Sequence, residues 1–156
     1  MKATGIVRRI DELGRVVVPK EIRRTLRIRE GDPLEIYTDR EGGIILRKYS
    51  PLGELEQYAK EYAEALSFVS SAGALICDKD VFIAASGQGK KEYQGKSVSA
   101  QLNALLEIRH SSILTGSNCV PLLNDKENQM CVYQCVAPII VSGDVMGGVI
   151  IFSKDE

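Results

Sequence analysis

The sequence predicts an α+β protein in which a helix joins two modules. Residues 1–50 carry short apolar runs separated by turn residues, which indicates a small β domain. Helical periodicity follows over residues 51–70. Apolar runs at 135–141 and 145–152, on either side of a Ser-Gly-Asp turn, indicate an antiparallel sheet within residues 71–156. The domain boundary is therefore expected where the β pattern gives way to the helical one.

The composition is that of an ordinary globular protein. Hydrophobic residues make up 44% of the 156 positions and charged residues 26%, which excludes wholesale disorder. The longest apolar runs are far shorter than the roughly 20 residues that cross a bilayer. The charged start, MKATGIVRR, does not resemble a secretion signal. We therefore expect a soluble cytoplasmic protein with no membrane partner.

The first module is expected to contain four strands and one helix. Turn sequences at residues 11–14, 31–32 and 41–43 separate its apolar runs. Pro19 suits the first turn of a helix because the N–H that it lacks would have no helical partner. The predicted elements are strands at 3–10, 15–18, 34–38 and 44–48 and a helix from residue 19 to about residue 26.

So short a module has too little apolar surface to fold alone. A unit of this size buries a small core, and a cytoplasmic chain has no disulfide to offset its conformational entropy. Its strands also leave open edges, which invite pairing with another chain. We therefore predict that the strands of two chains interleave into one shared barrel, so that residues 1–50 form an obligate homodimer.

The second module is predicted to be an antiparallel sheet with helices. Its length of about 100 residues is enough for a core of its own. The predicted elements are a hairpin at 74–77 and 81–85, a Gly- and Lys-rich loop at 87–96, a helix at 98–108, extended segments at 112–114 and 119–122, and strands at 130–141 and 145–152.

Residues 51–70 carry a heptad-like apolar seam. Spacings of three and four residues put its members on one face of a helix. Two interpretations stay open: the seam packs on the helix's own domain, or it also bundles with other protomers into a homotetramer, a dimer of dimers. The seam consists of Leu52, Leu55, Ala59, Tyr62, Leu66 and Val69.

Positive charge is concentrated in the first module. Residues 1–50 contain 12 Lys and Arg against 8 Asp and Glu, a balance of +4, and the rest of the chain contains 8 against 13, a balance of −5. Nine of the 12 cations are arginines, whose planar guanidinium suits phosphates and groove edges. A two-fold dimer duplicates these cations in a way that fits duplex DNA. A solvated surface with weak Arg–Glu pairs would give the same pattern.

The segment GIVRRIDELGRVVVPKEIRRTL, residues 5–26, closely resembles the AbrB-type swapped-hairpin transcription-factor domain. The resemblance implies a DNA-binding dimer in which hairpins are exchanged between chains. Double-stranded DNA is then the partner, anchored through its phosphates and read through its deformability. The site residues that the resemblance assigns by motif position are Arg8, Arg15, Arg23 and Arg24, with Lys2 and Arg9 as weaker additions.

The second module resembles a GAF domain in its order of helix, hairpin, loop, helix and final strands. The resemblance implies a pocket on one face of the sheet for an unknown small effector, and a purely structural, oligomerising role is the alternative. The motif of cyclic-nucleotide-binding GAF domains is not reproduced at residues 124–128. As a whole the chain resembles regulators that activate and repress late, forespore-stage sporulation genes, which would act in the cytoplasm at the nucleoid.

No catalytic, metal or cofactor site is expected. The four cysteines lack the paired spacing of a zinc site and are expected to be buried thiols. The segment GKKEYQGKS at residues 89–97 imitates a phosphate-binding loop, but five residues instead of four separate its glycines. The single histidine, His110, has no nucleophile motif nearby. We therefore do not expect an enzyme.

The sequence thus predicts a DNA-binding transcriptional regulator, and two alternatives stay open. The first is an antitoxin that uses the same N-terminal fold, although such proteins end in a short flexible tail rather than a sheet-forming domain. The second is a small-molecule sensor whose N-terminal half only dimerises. DNA binding by residues 1–55 alone would exclude the second alternative.

Overall fold

The chain divides into two compact units, each with its own antiparallel sheet. This arrangement confirms the predicted α+β class with antiparallel sheets. Residues 50 and 51, where the sequence predicts the boundary, lie outside the described part of the chain. The units comprise residues 1–49 and 50–156, and the computed structural model describes residues 4–49, 52, 55–124 and 131–154.

The first unit contains one short helix and one hairpin. Helix α1, Lys20–Thr25, confirms the predicted helix but begins one residue later than predicted, with Pro19 as its N-cap. Strands β1 (Leu34–Thr38) and β2 (Ile44–Lys48) pair antiparallel and have the predicted bounds. The side chain of Asp39 closes the turn between them, because it accepts hydrogen bonds from two backbone N–H groups of the turn.

The strands predicted at 3–10 and 15–18 are not formed within the single chain. Residues 4–10 and 15–18 run without regular secondary structure, and backbone-to-backbone hydrogen bonds close the turn between them, from Asp11 to Arg15 and from Gly14 to Asp11. A strand exists through the ladder that it makes with a neighbour, and the described part of this unit provides no such neighbour. The prediction is therefore wrong for the isolated chain, because these segments lack a pairing partner.

The second unit is a five-stranded antiparallel sheet with helices on both faces. Its elements are α2 (Glu56–Ser70), β3 (Gly73–Asp78), β4 (Phe82–Ser86), α3 (Lys90–Tyr93), α4 (Ala100–Leu106), β5 (Ser112–Thr115), β6 (Tyr133–Val141) and β7 (Asp144–Ser153). The strand order is β4-β3-β7-β6-β5, so the last strand of the chain lies at the centre of the sheet. The hairpin of β6 and β7 confirms the predicted pair of final strands.

Alternation along β3 divides the core between the two faces of the sheet. Leu75 belongs to the larger cluster, which α4 completes with Leu102. Its neighbour Ile76 points to the other face and packs against Ala59 and Ala63 of α2. The two small alanines let this helix approach the sheet closely, so the second unit has a core of its own.

Two parts of the second unit differ from the prediction. The predicted loop 87–96 contains the short helix α3. This helix is stabilised by Tyr93, whose ring packs in the core between two phenylalanine rings. The predicted extended segment 119–122 is not a strand. Its backbone follows a 3₁₀ turn, Gly116–Asn118, and bonds the side-chain amide of Gln134 instead of a neighbouring strand.

The predicted apolar seam is divided between two sides of α2. Ala59 is buried against the sheet. Leu55, Tyr62 and Val69 are exposed instead, and Tyr58 is exposed beside them. The helix therefore packs on its own domain and also presents an apolar face outward.

Candidate nucleic-acid interface

The turn at residues 11–15 is organised by the carboxylate of Asp11. Its Oδ1 atom accepts hydrogen bonds from the backbone N–H groups of Leu13 at 3.0 Å and Arg15 at 2.8 Å. The N–H of Asp11 donates in turn to the Arg15 carbonyl at 3.0 Å. Gly14 supplies a φ of +75°, which L side chains rarely adopt. The sequence Asp-Glu-Leu-Gly-Arg therefore encodes a tight reversal that ends in an arginine.

The same carboxylate orients the guanidinium of Arg15. Nε of Arg15 donates to Oδ2 of Asp11 at 2.8 Å, while 70% of the Arg15 side chain stays exposed. Hydrogen bonds from the backbone and then the side chain of Arg15 lower the pKa of Asp11 below its ordinary value of 3.8. An exposed pair of this kind adds little stability. Its effect is to direct the terminal NH₂ groups, which can grip a phosphate at two points, towards solvent.

The other predicted DNA-contacting residues before the turn are either exposed or outside the part of the chain that the structure describes. Arg8 and Arg9 lie in the extended stretch before the turn, and both side chains are exposed. Nη1 of Arg8 donates to the neighbouring Val7 carbonyl at 2.9 Å. Lys2 lies outside the described residues, so the structure does not locate its side chain.

Helix α1 carries Arg23 and Arg24 in its last turn. The helix ends because Arg27 adopts a left-handed φ of +54°, and the N–H of Ile28 returns to the Arg23 carbonyl at 2.7 Å. Arg24 is exposed, whereas Arg23 is half-buried. The Nε atom of Arg23 is buried without a hydrogen-bond partner among the described residues. A buried donor without an acceptor is unfavourable, which sets Arg23 apart from the other arginines.

The apolar side chains of this unit are uncovered. In the described range 4–49 no residue is buried, although an apolar core is what holds an ordinary folded unit together. An exposed apolar surface of this extent marks an interaction site. Its large members are Ile6, Val7, Ile10, Leu13, Val16, Val17, Leu26, Ile36, Tyr37, Ile44, Leu46 and Tyr49.

Other motifs of the sequence build structure instead of a site. The imitation of a phosphate-binding loop forms the four-residue helix α3, whose Glu92 pairs with Lys154 at 3.0 Å. The described residues contain no group of three or more His, Cys, Asp or Glu that could hold a metal. None of the described helices combines the length and the apolar character that crossing a membrane requires.

Comparison with known proteins defines the N-terminal unit. Residues 7–53 match the family model described as antidote-toxin recognition MazE, bacterial antitoxin. Over 51 residues, 33% of this chain and 52% of the relative, the chain is 69% identical to the transition state regulatory protein AbrB of Bacillus subtilis strain 168. The solved N-terminal DNA recognition domain of the B. subtilis regulator AbrB shares 69% identity over 33% of this chain and 94% of that chain, with a TM-score of 0.29. The chain thus carries an AbrB-like N-terminal domain.

The C-terminal unit makes the assignment specific. Residues 54–156 match the family model described as stage V sporulation protein T C-terminal, transcription factor. The chain is 56% identical over 156 residues, all of this chain and 87% of the relative, to stage V sporulation protein T of B. subtilis strain 168. The chain belongs to the stage V sporulation protein T family. This is a family of transcription factors, which confirms the prediction of a sporulation regulator and not an enzyme.

The Asp11–Arg15 pair predicts a specific titration. Because the pKa of Asp11 is lowered in the folded state, the pair stabilises the turn above the unfolded pKa and is lost as pH falls through the folded one. In Arg15→Ala the pKa of Asp11 should rise part of the way back to 3.8, since the backbone hydrogen bond remains. NMR titration of the Asp11 carboxyl carbon measures this value. Arg8→Ala is the control, and equal Asp11 midpoints in the wild type and in Arg15→Ala would contradict the pairing.

Proposed function

We propose that two copies of residues 1–50 intertwine into one swapped-hairpin β-barrel that binds duplex DNA. The extended segments 4–10 and 15–18 carry backbone groups that need a ladder partner. The apolar side chains along them, among them Val7, Ile10 and Val17, are exposed in the single chain. Strands from a second copy would pair with these segments and cover these side chains at the same time.

The energy of such an association is large for so small a unit. Burying one large aliphatic side chain stabilises a protein by about 1.5–3 kcal/mol. Burying half of the twelve uncovered side chains therefore contributes on the order of 10 kcal/mol. This is comparable with the whole stability of a domain, so the unit and its dimer are expected to form together. The uncovered apolar surface is the observation that carries this proposal.

The DNA-binding surface would consist of arginines from both copies. Each copy contributes Arg15, held by Asp11 at the turn, and the Arg23–Arg24 pair at the end of α1. Arg8 joins them, with Arg9 and Lys2 in supporting positions. A two-fold arrangement of guanidinium groups matches the symmetry of a duplex. Phosphate contacts would give affinity, and the deformability of the duplex would give the loose sequence preference.

The outward face of α2 supports association of two such dimers into a tetramer. Leu55, Tyr58, Tyr62 and Val69 lie three, four and seven residues apart, which places them on one stripe of the helix. All four are exposed although the opposite side of the helix is packed on the sheet. A stripe of this spacing is typical of a helix that packs against another helix.

The C-terminal unit is proposed to be a GAF-like domain with a mainly structural role. One pocket of the described residues, near Tyr93, Gln134 and Lys154, measures about 20 Å³, which is room for one water molecule. The side-chain amide of Gln134 is already hydrogen-bonded to both backbone groups of Val120. A second, open pocket of about 700 Å³ lies beside α2, where Lys60 and Lys90 are among its lining residues. A small effector would have to open the region around Gln134 or bind in the open pocket beside α2, whereas the exposed apolar face of α2 directly supports oligomerisation.

The biological role follows from the family. We propose that the protein controls late, forespore-stage sporulation genes by activation and repression, and that it acts in the cytoplasm at the nucleoid. The antitoxin alternative is favoured by the match of residues 7–53 to the MazE model. It gives no role to residues 54–156, which match the transcription-factor model and form a folded domain. Co-purification of this protein with a small toxin would support the antitoxin alternative.

Removing the arginines at the end of α1 should weaken DNA binding without unfolding the dimer. We expect Arg23→Ala/Arg24→Ala to lower affinity about tenfold or more, and to reduce the slope of log affinity against log salt by about one for each lost phosphate contact. Fluorescence anisotropy over a salt series measures both quantities. Circular dichroism checks the fold, and Arg24→Ala alone repeats the test at an exposed position.

The matched control for this test is Arg40→Ala. Arg40 is an exposed arginine of the same unit, in the turn between β1 and β2, and it lies outside the proposed surface. It removes the same single charge as Arg24→Ala, so an equal loss of affinity in these two single variants would reduce the effect to net charge. A salt-independent affinity of the wild type would contradict the phosphate-anchoring account.

A charge on the outward face of α2 should separate the tetramer into dimers. We expect Tyr62→Glu to halve the mass of the native assembly, because a carboxylate would be buried in the apolar helix contact. Gln57→Glu adds the same charge to an exposed position on another side of the helix and should leave the mass unchanged. Light scattering after size exclusion measures the masses. A tetramer that survives Tyr62→Glu, or a wild type that is already dimeric, would exclude the helix contact.

A further inference from the structure

Two of the four cysteines meet although twelve positions separate them in the sequence. Cys131 is buried in the core of the second unit, and the half-buried Cys119 packs against that core. The Cys131 thiol donates to the backbone carbonyls of Tyr133 and Ser153, at 3.1 and 3.2 Å, and the Cys119 thiol lies near enough to interact with it. The described residues hold no further His, Cys, Asp or Glu that would complete a metal site with them. The contact is therefore a pair of neighbouring thiols.

Backbone and amide hydrogen bonds hold the Cys119 segment beside the start of β6. The N–H of Gly116 donates to the carbonyl of Val132 at 2.9 Å, and the N–H of Cys119 donates back to the carbonyl of Gly116 at 3.1 Å. On the other side of Cys119, the buried Gln134 amide binds both backbone groups of Val120, at 2.9 and 2.7 Å. The proximity of the two sulfurs is thus built by the fold on both sides.

We propose that Cys119 and Cys131 form an intrachain disulfide when the protein meets a hydroperoxide. The Cys119 thiolate attacks the terminal peroxide oxygen, which breaks the O–O bond, forms a sulfenic acid and releases an alcohol. The Cys131 sulfur then attacks the Cys119 sulfur, forms the S–S bond and expels water. The overall step converts two thiols and one hydroperoxide into one disulfide, one alcohol and one water, and with hydrogen peroxide the alcohol is replaced by a second water.

The surroundings of the two sulfurs assign these roles. Burial raises the pKa of both thiols, to about 11 for Cys131. The neighbouring thiol opposes this effect of burial on the pKa of Cys119 and adds to it for Cys131. Cys119 is also the less buried of the two. It is therefore the sulfur that ionises and meets the oxidant, and Cys131 is the sulfur that resolves the sulfenic acid.

The other two cysteines lie apart from this pair. Cys77 is fully buried on β3, where burial raises its pKa to about 12. Cys135 is half-buried on β6, and strand alternation turns it to the face opposite the buried Gln134 and Val136. Cys135 is thus a matched control, because it is half-buried like Cys119 but lacks a neighbouring thiol on its face among the described residues.

The test counts free thiols in the full-length protein. The reduced protein is treated with hydrogen peroxide, denatured with N-ethylmaleimide present, and weighed by mass spectrometry. We expect the number of labelled thiols to fall from four to two, with a Cys119–Cys131 linked peptide after digestion. Cys135→Ser should still form this link, whereas Cys119→Ser and Cys131→Ser should not.

Several results would overturn the proposal. Four labelled thiols after oxidation would mean that no disulfide forms. A link that includes Cys135, within or between chains, would assign the oxidation to another site. The same pairing in protein that is oxidised while unfolded in urea would show that proximity in the sequence, and not the folded contact, selects the pair.

Discussion

The uncovered apolar surface of residues 4–49 is the constraint on which the rest of the account depends. Within that range the structure buries no side chain, and two of its extended segments pair with nothing in their own unit. A chain in this state exposes both apolar side chains and backbone groups, and one event, pairing with a second copy, removes both penalties. The arginines need the same event, because only a two-fold unit presents them in the symmetry of a duplex.

The second unit, in contrast, buries its apolar side chains within its own chain. Its sheet has a core on each face, and the small side chains of Ala59 and Ala63 bring α2 close to one of them. The same helix leaves two tyrosines, Tyr58 and Tyr62, on its other side. One element thus takes part in a packed domain and offers a contact to another chain. The two sides of α2 explain why the apolar seam in the sequence is compatible both with packing on its own domain and with bundling between protomers.

Local sequence predicted much of the fold and less of its contacts. Pro19 fixed the start of α1, the turn around Asp39 fixed the hairpin of β1 and β2, and the last apolar runs fixed β6 and β7. The two N-terminal strands were predicted but are not formed, because the described part of their own unit offers no strand to pair with them. The site arginines came from resemblance over residues 5–26, and no pattern could reveal the buried Nε atom of Arg23 or the meeting of Cys119 with Cys131, which tertiary packing creates.

The oligomeric state of residues 1–50 in isolation tests the central claim most directly. Sedimentation equilibrium at low micromolar concentration gives the mass, and circular dichroism on the same samples gives the folded fraction. The account predicts a folded dimer whose unfolding midpoint rises with protein concentration, because association and folding are one transition. A folded monomer with a concentration-independent midpoint would contradict it.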